Sequence, residues 1–297
     1  MSIFIDKLKN FTDHIPLPGF KGISIFDLLK FLKEVFSKGN FAIRSAAVSF
    51  HFFVGIFPTL IFLVSLIPYL PIEGLQENIF VQMQLILPDM IYHLFESTLE
   101  ELLTKKYTVL LSIGFLLSIY YASQGINTLL IAFNQSYQVE LDRHPIKQRL
   151  LSLGVFLIMI TLFLAAVSLS VFENIIGNYV NFEEIVHMSP WLFNGLNFIG
   201  ILILVMLAIS ILYHFGHPGI KKFQFINPGT SFATVVILLA SWGLSFYFSQ
   251  FDTYNKIYGS IGSLLVALVW LNTVSYVLII GFELYTKADT IRRIKEN

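Results

Sequence analysis

Six stretches of this chain, at about residues 46–70, 107–132, 150–176, 191–215, 228–250 and 261–285, are long and almost wholly apolar. A helix of roughly 20 residues, rising about 1.5 Å per residue, crosses the hydrocarbon of a bilayer. Lipid offers no partner to a backbone N–H or C=O, so such stretches must close their hydrogen bonds within a helix. The expected fold class is therefore all-α: a polytopic membrane protein with six transmembrane helices. Composition agrees, with 56% hydrophobic and 13% charged residues, where a soluble chain carries about 25% charge.

The segments between the spans complete this plan. Residues 1–22 contain Pro16-Leu17-Pro18-Gly19 and read as a cytoplasmic N-terminal segment with no cleavable signal. From Ile23 to Lys38, Asp27, Lys30, Lys33, Glu34 and Ser37 share one helical arc while apolar residues fill the rest. That pattern predicts an amphipathic helix in the membrane interface, or one packed on the end of the bundle. Between spans one and two, Pro88 separates two periodic stretches too short to span, which read as short extracytoplasmic helices. Residues 23–289 then form one membrane domain, and 290–297 a basic cytoplasmic tail.

Orientation follows from charge. Sixteen of the 19 Lys and Arg fall in the N-terminal region, the loop from Gln135 to Arg149, the Lys221-Lys222 loop and the tail; only Lys105, Lys106 and Lys256 fall on the other side. By the positive-inside rule both termini are expected in the cytoplasm.

Polar groups inside the spans supply the candidate site. In span two, Tyr120, Ser123, Gln124 and Asn134 lie within about 60° of Asn127 around a helix. Their amides need partners on other helices or a wet cavity, because lipid satisfies neither. In span six, Asn272, Tyr276 and Glu283 share a narrow arc; Glu283, near the end of its span, is an interfacial anchor or the partner of a cation. In span one, Arg44 and His51 lie on one face, either as a polar approach from the cytoplasm or with Arg44 snorkelling to headgroups. Pro58 is expected to kink that span and Pro228-Gly229 to break the chain before span five. Tyr254 to Ser260 reads as a short polar turn between spans five and six.

Enzyme chemistry finds little support. The chain has no cysteine and a net charge of zero, which excludes disulfides, thiolate-bound metals and a generally basic nucleic-acid binder. His214 and His217 lack a third ligand at a supporting spacing, so no metal and no cofactor are expected.

Several motifs carry a resemblance: Pro228-Gly229 opening one span, Tyr258-Gly259-Ser260-Ile261-Gly262 before the next, Trp270 within it and Gly281-Phe282-Glu283-Leu284 closing it. Upstream stand Phe50-His51-Phe52-Phe53, Phe57-Pro58, and Asn127 with Asn134 and Tyr137. Over roughly Phe36 to Asp289 the sequence resembles the YihY/BrkB family of bacterial inner-membrane proteins, whose members have often carried the label ribonuclease BN. The resemblance implies a multi-pass protein of the bacterial inner membrane. Together with the polar groups it points to a transporter or flippase-like protein. That protein would move an amphiphile, lipid or ion through a polar central cavity lined by Arg44, His51, Gln124, Asn127, Asn134, Asn272, Tyr276 and Glu283. The alternative is a non-transporting scaffold for envelope assembly, in which those groups hold helices together. Expected partners are membrane lipids and no nucleic acid; a homo-oligomer is left open. Ribonuclease activity is disfavoured, since the inner loops are too short for a catalytic constellation beside a basic surface.

Overall fold

A computed structural model describes residues 40–69, 107–135, 144–179, 190–217, 219, 222–249 and 252–296. Six α-helices make up the described chain: α1 (Phe41–Leu66, followed by a 3-10 turn Ile67–Tyr69), α2 (Thr108–Asn134), α3 (Pro145–Tyr179), α4 (Pro190–Gly216), α5 (Pro228–Ser249) and α6 (Asp252–Glu296). The all-helical expectation holds among these residues. Five of the helices are long and apolar enough to cross a membrane. In α5 the apolar run, Pro228–Leu244, covers about 25 Å at 1.5 Å per residue, short of a hydrocarbon core of about 30 Å.

Two boundaries differ from expectation for local reasons. The polar knot Tyr254–Ser260 is no turn but the first turns of α6, leaving only residues 250 and 251 between α5 and α6. The knot contains no proline, and its one glycine costs a helix only about 1 kcal/mol. The basic loop is also shorter, because α3 starts at Pro145 rather than near residue 150. Proline suits a first helical position, where its missing N–H would have no partner anyway. Arg149, counted above as a loop charge, therefore belongs to a membrane helix. At Pro58 α1 runs on unbroken. The expected interfacial helix at 23–38, the N-terminal segment 1–22 and the short helices between spans one and two lie outside the described residues.

The start of α5 is built by its own sequence. Asn227 caps the helix: its Oδ1 accepts the Thr230 N–H at 2.8 Å and its carbonyl accepts the Ser231 N–H at 3.0 Å. Its Nδ2 donates to the Gln224 carbonyl and to Thr230 Oγ1. Ser210 of α4 donates to the Phe225 carbonyl at 2.7 Å, tying the preceding turn to the bundle. Pro228 and Gly229 are thus the first residues of α5.

Helices α1, α3 and α5 begin, and α2 and α4 end, at one end of the bundle, and the tightest packing lies there. Phe133 and Phe282 stack with ring centres 4.2 Å apart, and Tyr213 meets both edge-on. The Tyr213 hydroxyl, fully buried, donates to the Leu278 carbonyl at 3.0 Å. Small residues let backbones touch, as apolar membrane helices require for close approach. A Cβ on Gly229 would run into the Gly281 carbonyl oxygen and stand 2.7 Å from Tyr285 Cβ. On α1, Gly55 packs against the backbone of Tyr121 and Ala122 in α2.

Candidate functional site

The expected polar residues separate into two clusters and a set of isolated positions. The first cluster clamps three helices. Arg44, in the first turn of α1, lies with Nη1 3.5 Å from Glu283 Oε1 of α6, while Nη2 donates to the Ala132 carbonyl of α2. Both side chains are nearly sealed from solvent, at 10% and 6% exposure. The carbonyls in the last turn of α2 have no helical partner and carry the negative end of its dipole, so a guanidinium fits there. Arg44 also lies 5.2 Å from the centre of the Phe41 ring, and Phe41 meets Tyr276 edge-on. Arg44 therefore does not snorkel; it joins α1, α2 and α6. Asn134, at the end of α2, keeps a buried Oδ1 with no hydrogen-bond partner among the described residues.

The second cluster runs along the seam between α2 and α3. Ser152 donates to Asn127 Oδ1 at 3.1 Å and to the Gln148 carbonyl at 2.8 Å. Arg149 donates to Gln124 Oε1 and, at 3.2 Å, to the Tyr120 carbonyl, with its guanidinium 4.7 Å above the Tyr120 ring. The direction of this side chain is informative. The two helices are antiparallel, and Arg149 sits three residues nearer the start of α3 than Ser152, hence nearer the bundle end. Its partners Gln124 and Tyr120 nevertheless lie three and seven residues deeper in α2 than Asn127. The guanidinium reaches inward, the reverse of snorkelling. The apolar run of α2 spans Leu111–Asn134, so Tyr120 and Gln124 flank its midpoint. All the acceptors named for Arg149 are neutral, and among the described residues the ion pair found is Arg44 with Glu283.

The seam is not sealed. Tyr120 is 55% exposed, and Gln124, Asn127 and Arg149 are half-buried. Next to them both amide atoms of Gln148 are buried without a partner among the described residues. A buried amide left this way costs on the order of 1–3 kcal/mol, and water commonly fills such a site.

The remaining positions stand apart. His51 uses Nδ1 on the Ala47 carbonyl of its own helix, at 2.8 Å, and its ring meets Phe50 edge-on. Asn272 is exposed although Glu283, on the same face of α6, is buried, because neighbouring helices cover that face only toward the bundle end. Trp270 donates its indole N–H to Ser241 of α5 at 3.0 Å. Tyr258, Gly259 and Ser260 fall within the first turns of α6. Among the described residues no three His, Asp or Glu side chains gather at metal-binding distance.

Comparison with known proteins identifies the lineage. Residues 32–296 match the family described as virulence factor BrkB. The chain belongs to that family. It is 31% identical over 264 residues to the Bacillus subtilis (strain 168) protein called ribonuclease-like protein YfkH, an alignment covering 86% of this chain and 94% of the relative. It is 23% identical over 275 residues to the UPF0761 membrane protein Mpe_A1422 of Methylibium petroleiphilum, covering 89% of this chain and 63% of the relative. Over 85 residues it is 25% identical to the UPF0761 membrane protein XAC0937 of Xanthomonas axonopodis pv. citri, 29% of this chain and 20% of that one. No solved structure matches. The chain is thus a membrane protein of the BrkB and UPF0761 kind.

Proposed function

We propose that this protein carries an anionic amphiphile, a lipid or a close relative of one, across the bacterial inner membrane, guided along the seam between α2 and α3. The observation that carries this reading is the inward-pointing Arg149, which among the described residues meets the neutral acceptors Gln124 and Tyr120 beside an exposed aromatic ring. A cation whose side chain reaches inward from the end of a membrane helix is costly to bury, and such residues commonly mark substrate paths. An anionic headgroup would supply a counter-charge to Arg149 while its tails stay in lipid. In this reading Gln124 and Asn127 hand the headgroup along, and water at the buried, unpartnered amide of Gln148 would hydrate the route. The seam is entered, in this reading, from the inner leaflet, at the bundle end where α2 finishes and α3 starts.

The clamp has a different role. Glu283 serves Arg44 as counter-ion rather than carrying a proton or sodium, and the pair holds α1, α2 and α6 in register. That buried clamp of three helices is the observation favouring the second reading, a non-transporting scaffold. The ribonuclease wording in the YfkH name finds no support in the seam, whose side chains offer hydrogen bonds and one charge but no nucleophile paired with a base.

Purified protein in vesicles, with a fluorescent anionic phospholipid and a zwitterionic one followed by dithionite quenching, separates these readings. Transport predicts faster loss of the anionic probe than in empty vesicles and a several-fold slower rate for Arg149→Gln. Equal rates with and without protein, or an unaffected Arg149→Gln variant, would refute it.

A further inference from the structure

The other side of α3 carries a feature with no place in the proposed path. Between α3 and α4 lies a cavity of about 370 Å³ lined by Lys147, Leu150, Leu151, Gly154, Val155 and Phe215. Its walls are apolar apart from Lys147. Leu150 is 70% exposed at the rim, and a Cβ built on Gly154 meets nothing within 4 Å, so the groove opens sideways from the bundle. At about 100° per residue, Lys147 and Gly154 project roughly 140–160° away from Arg149 around α3. The groove and the polar seam are therefore separate places.

We infer that this groove seats one anionic phospholipid, an acyl chain lying over Gly154 between Leu151, Val155 and Phe215, with its phosphate paired to Lys147. Two features decide the occupant. The groove belongs to the apolar part of two membrane helices, Pro145–Ala166 and Phe198–Gly216, so what reaches it is hydrocarbon. Its one polar side chain is an exposed cation in the first turn of α3, at the start of the apolar run, and among the described residues it forms no ion pair. An apolar trough ending in a single ammonium complements a lipid with a negative headgroup better than a neutral one. The inference stands whether or not anything is transported.

Native mass spectrometry of the full-length protein, titrated with phosphatidylglycerol or phosphatidylcholine in detergent, tests it. One phosphatidylglycerol per chain should be retained in preference to phosphatidylcholine. Lys147→Ala should weaken phosphatidylglycerol binding about fivefold, the worth of one basic side chain at a membrane surface, and leave phosphatidylcholine unchanged. Gly154→Trp should fill the trough and weaken both lipids by more than tenfold; Gly154→Leu, a smaller filler, guards against misfolding and should act the same way more weakly. Equal retention of the two lipids by the wild type, or no loss in the Gly154 variants, would overturn the assignment. So would dimers that disappear on filling the groove, because a second copy of the chain would then be its occupant.

Discussion

Replacing Glu283 by Gln removes one charge from the clamp while keeping nearly the same shape and an oxygen that still accepts. At the observed separation of 3.5 Å the attraction between unit charges is about 5 kcal/mol at an effective dielectric of about 20. Burial of both side chains means that little of this is screened. Desolvation offsets much of the attraction in the intact pair, but removing one partner strands the other, and losses of roughly 3–5 kcal/mol are usual for buried pairs. Because Gln still accepts from Arg44, the lower end, about 3 kcal/mol, is expected. For a chain of this size each kcal/mol moves the midpoint by roughly 2–4 °C, so the variant should melt about 6–12 °C below wild type. Fluorescence-detected size exclusion after heating in detergent measures this directly. The Arg44→Met, Glu283→Leu double variant should recover part of the loss, since no unpaired charge remains. A Glu283→Gln midpoint within about 2 °C of wild type, or a double variant as unstable as the two single losses together, would refute a buried ion pair as the tie between α1 and α6.

Further outcomes follow from the packing. Gly281→Ala drives a methyl into the Tyr213 hydroxyl and to 3.0 Å from both Ala233 Cβ and the Gly229 carbonyl; overpacking of this kind costs about 1–3 kcal/mol, read as a lower melting midpoint, whereas Gly154→Ala should be neutral. Asn227→Ala removes the cap of α5 and should cost about 1 kcal/mol or somewhat more, measured by the same assay. A reporter active only in the cytoplasm should signal when fused after Asn297.

Much of the helical plan was legible because it rests on the length of apolar runs, while the cap at Asn227 came to light only in the structure. Asn227-Pro228 is a cap followed by a first-turn proline, and α5 begins there. The polar character of Tyr254–Ser260 misled, because polarity was read as a turn when nothing in the knot forbids a helix. Arg149 was legible as a basic residue but not as an inward-pointing one. Charge counting assigns it to a loop, and its partners Gln124 and Tyr120 belong to another helix. A cation partner was one of two readings of Glu283, the other an interfacial anchor, and only folding brings Arg44, 239 residues away, to its side. The exposure of Asn272 was hidden for a similar reason: periodicity gives the face of a helix, not the height to which neighbours cover it. Gly229 and Gly281 give no local sign that their backbones touch.

The chain has no cysteine, so a single one reports on the seam without background. In Asn127→Cys, which leaves Arg149 with Gln124, the rate of reaction with an anionic thiosulfonate can be compared with that of a cationic one in intact vesicles. A hydrated seam governed by Arg149 predicts that both react and that the anionic reagent is several-fold faster, a preference lost when Arg149→Gln is added. No reaction with either reagent, or the same ratio with and without the arginine, would contradict the account.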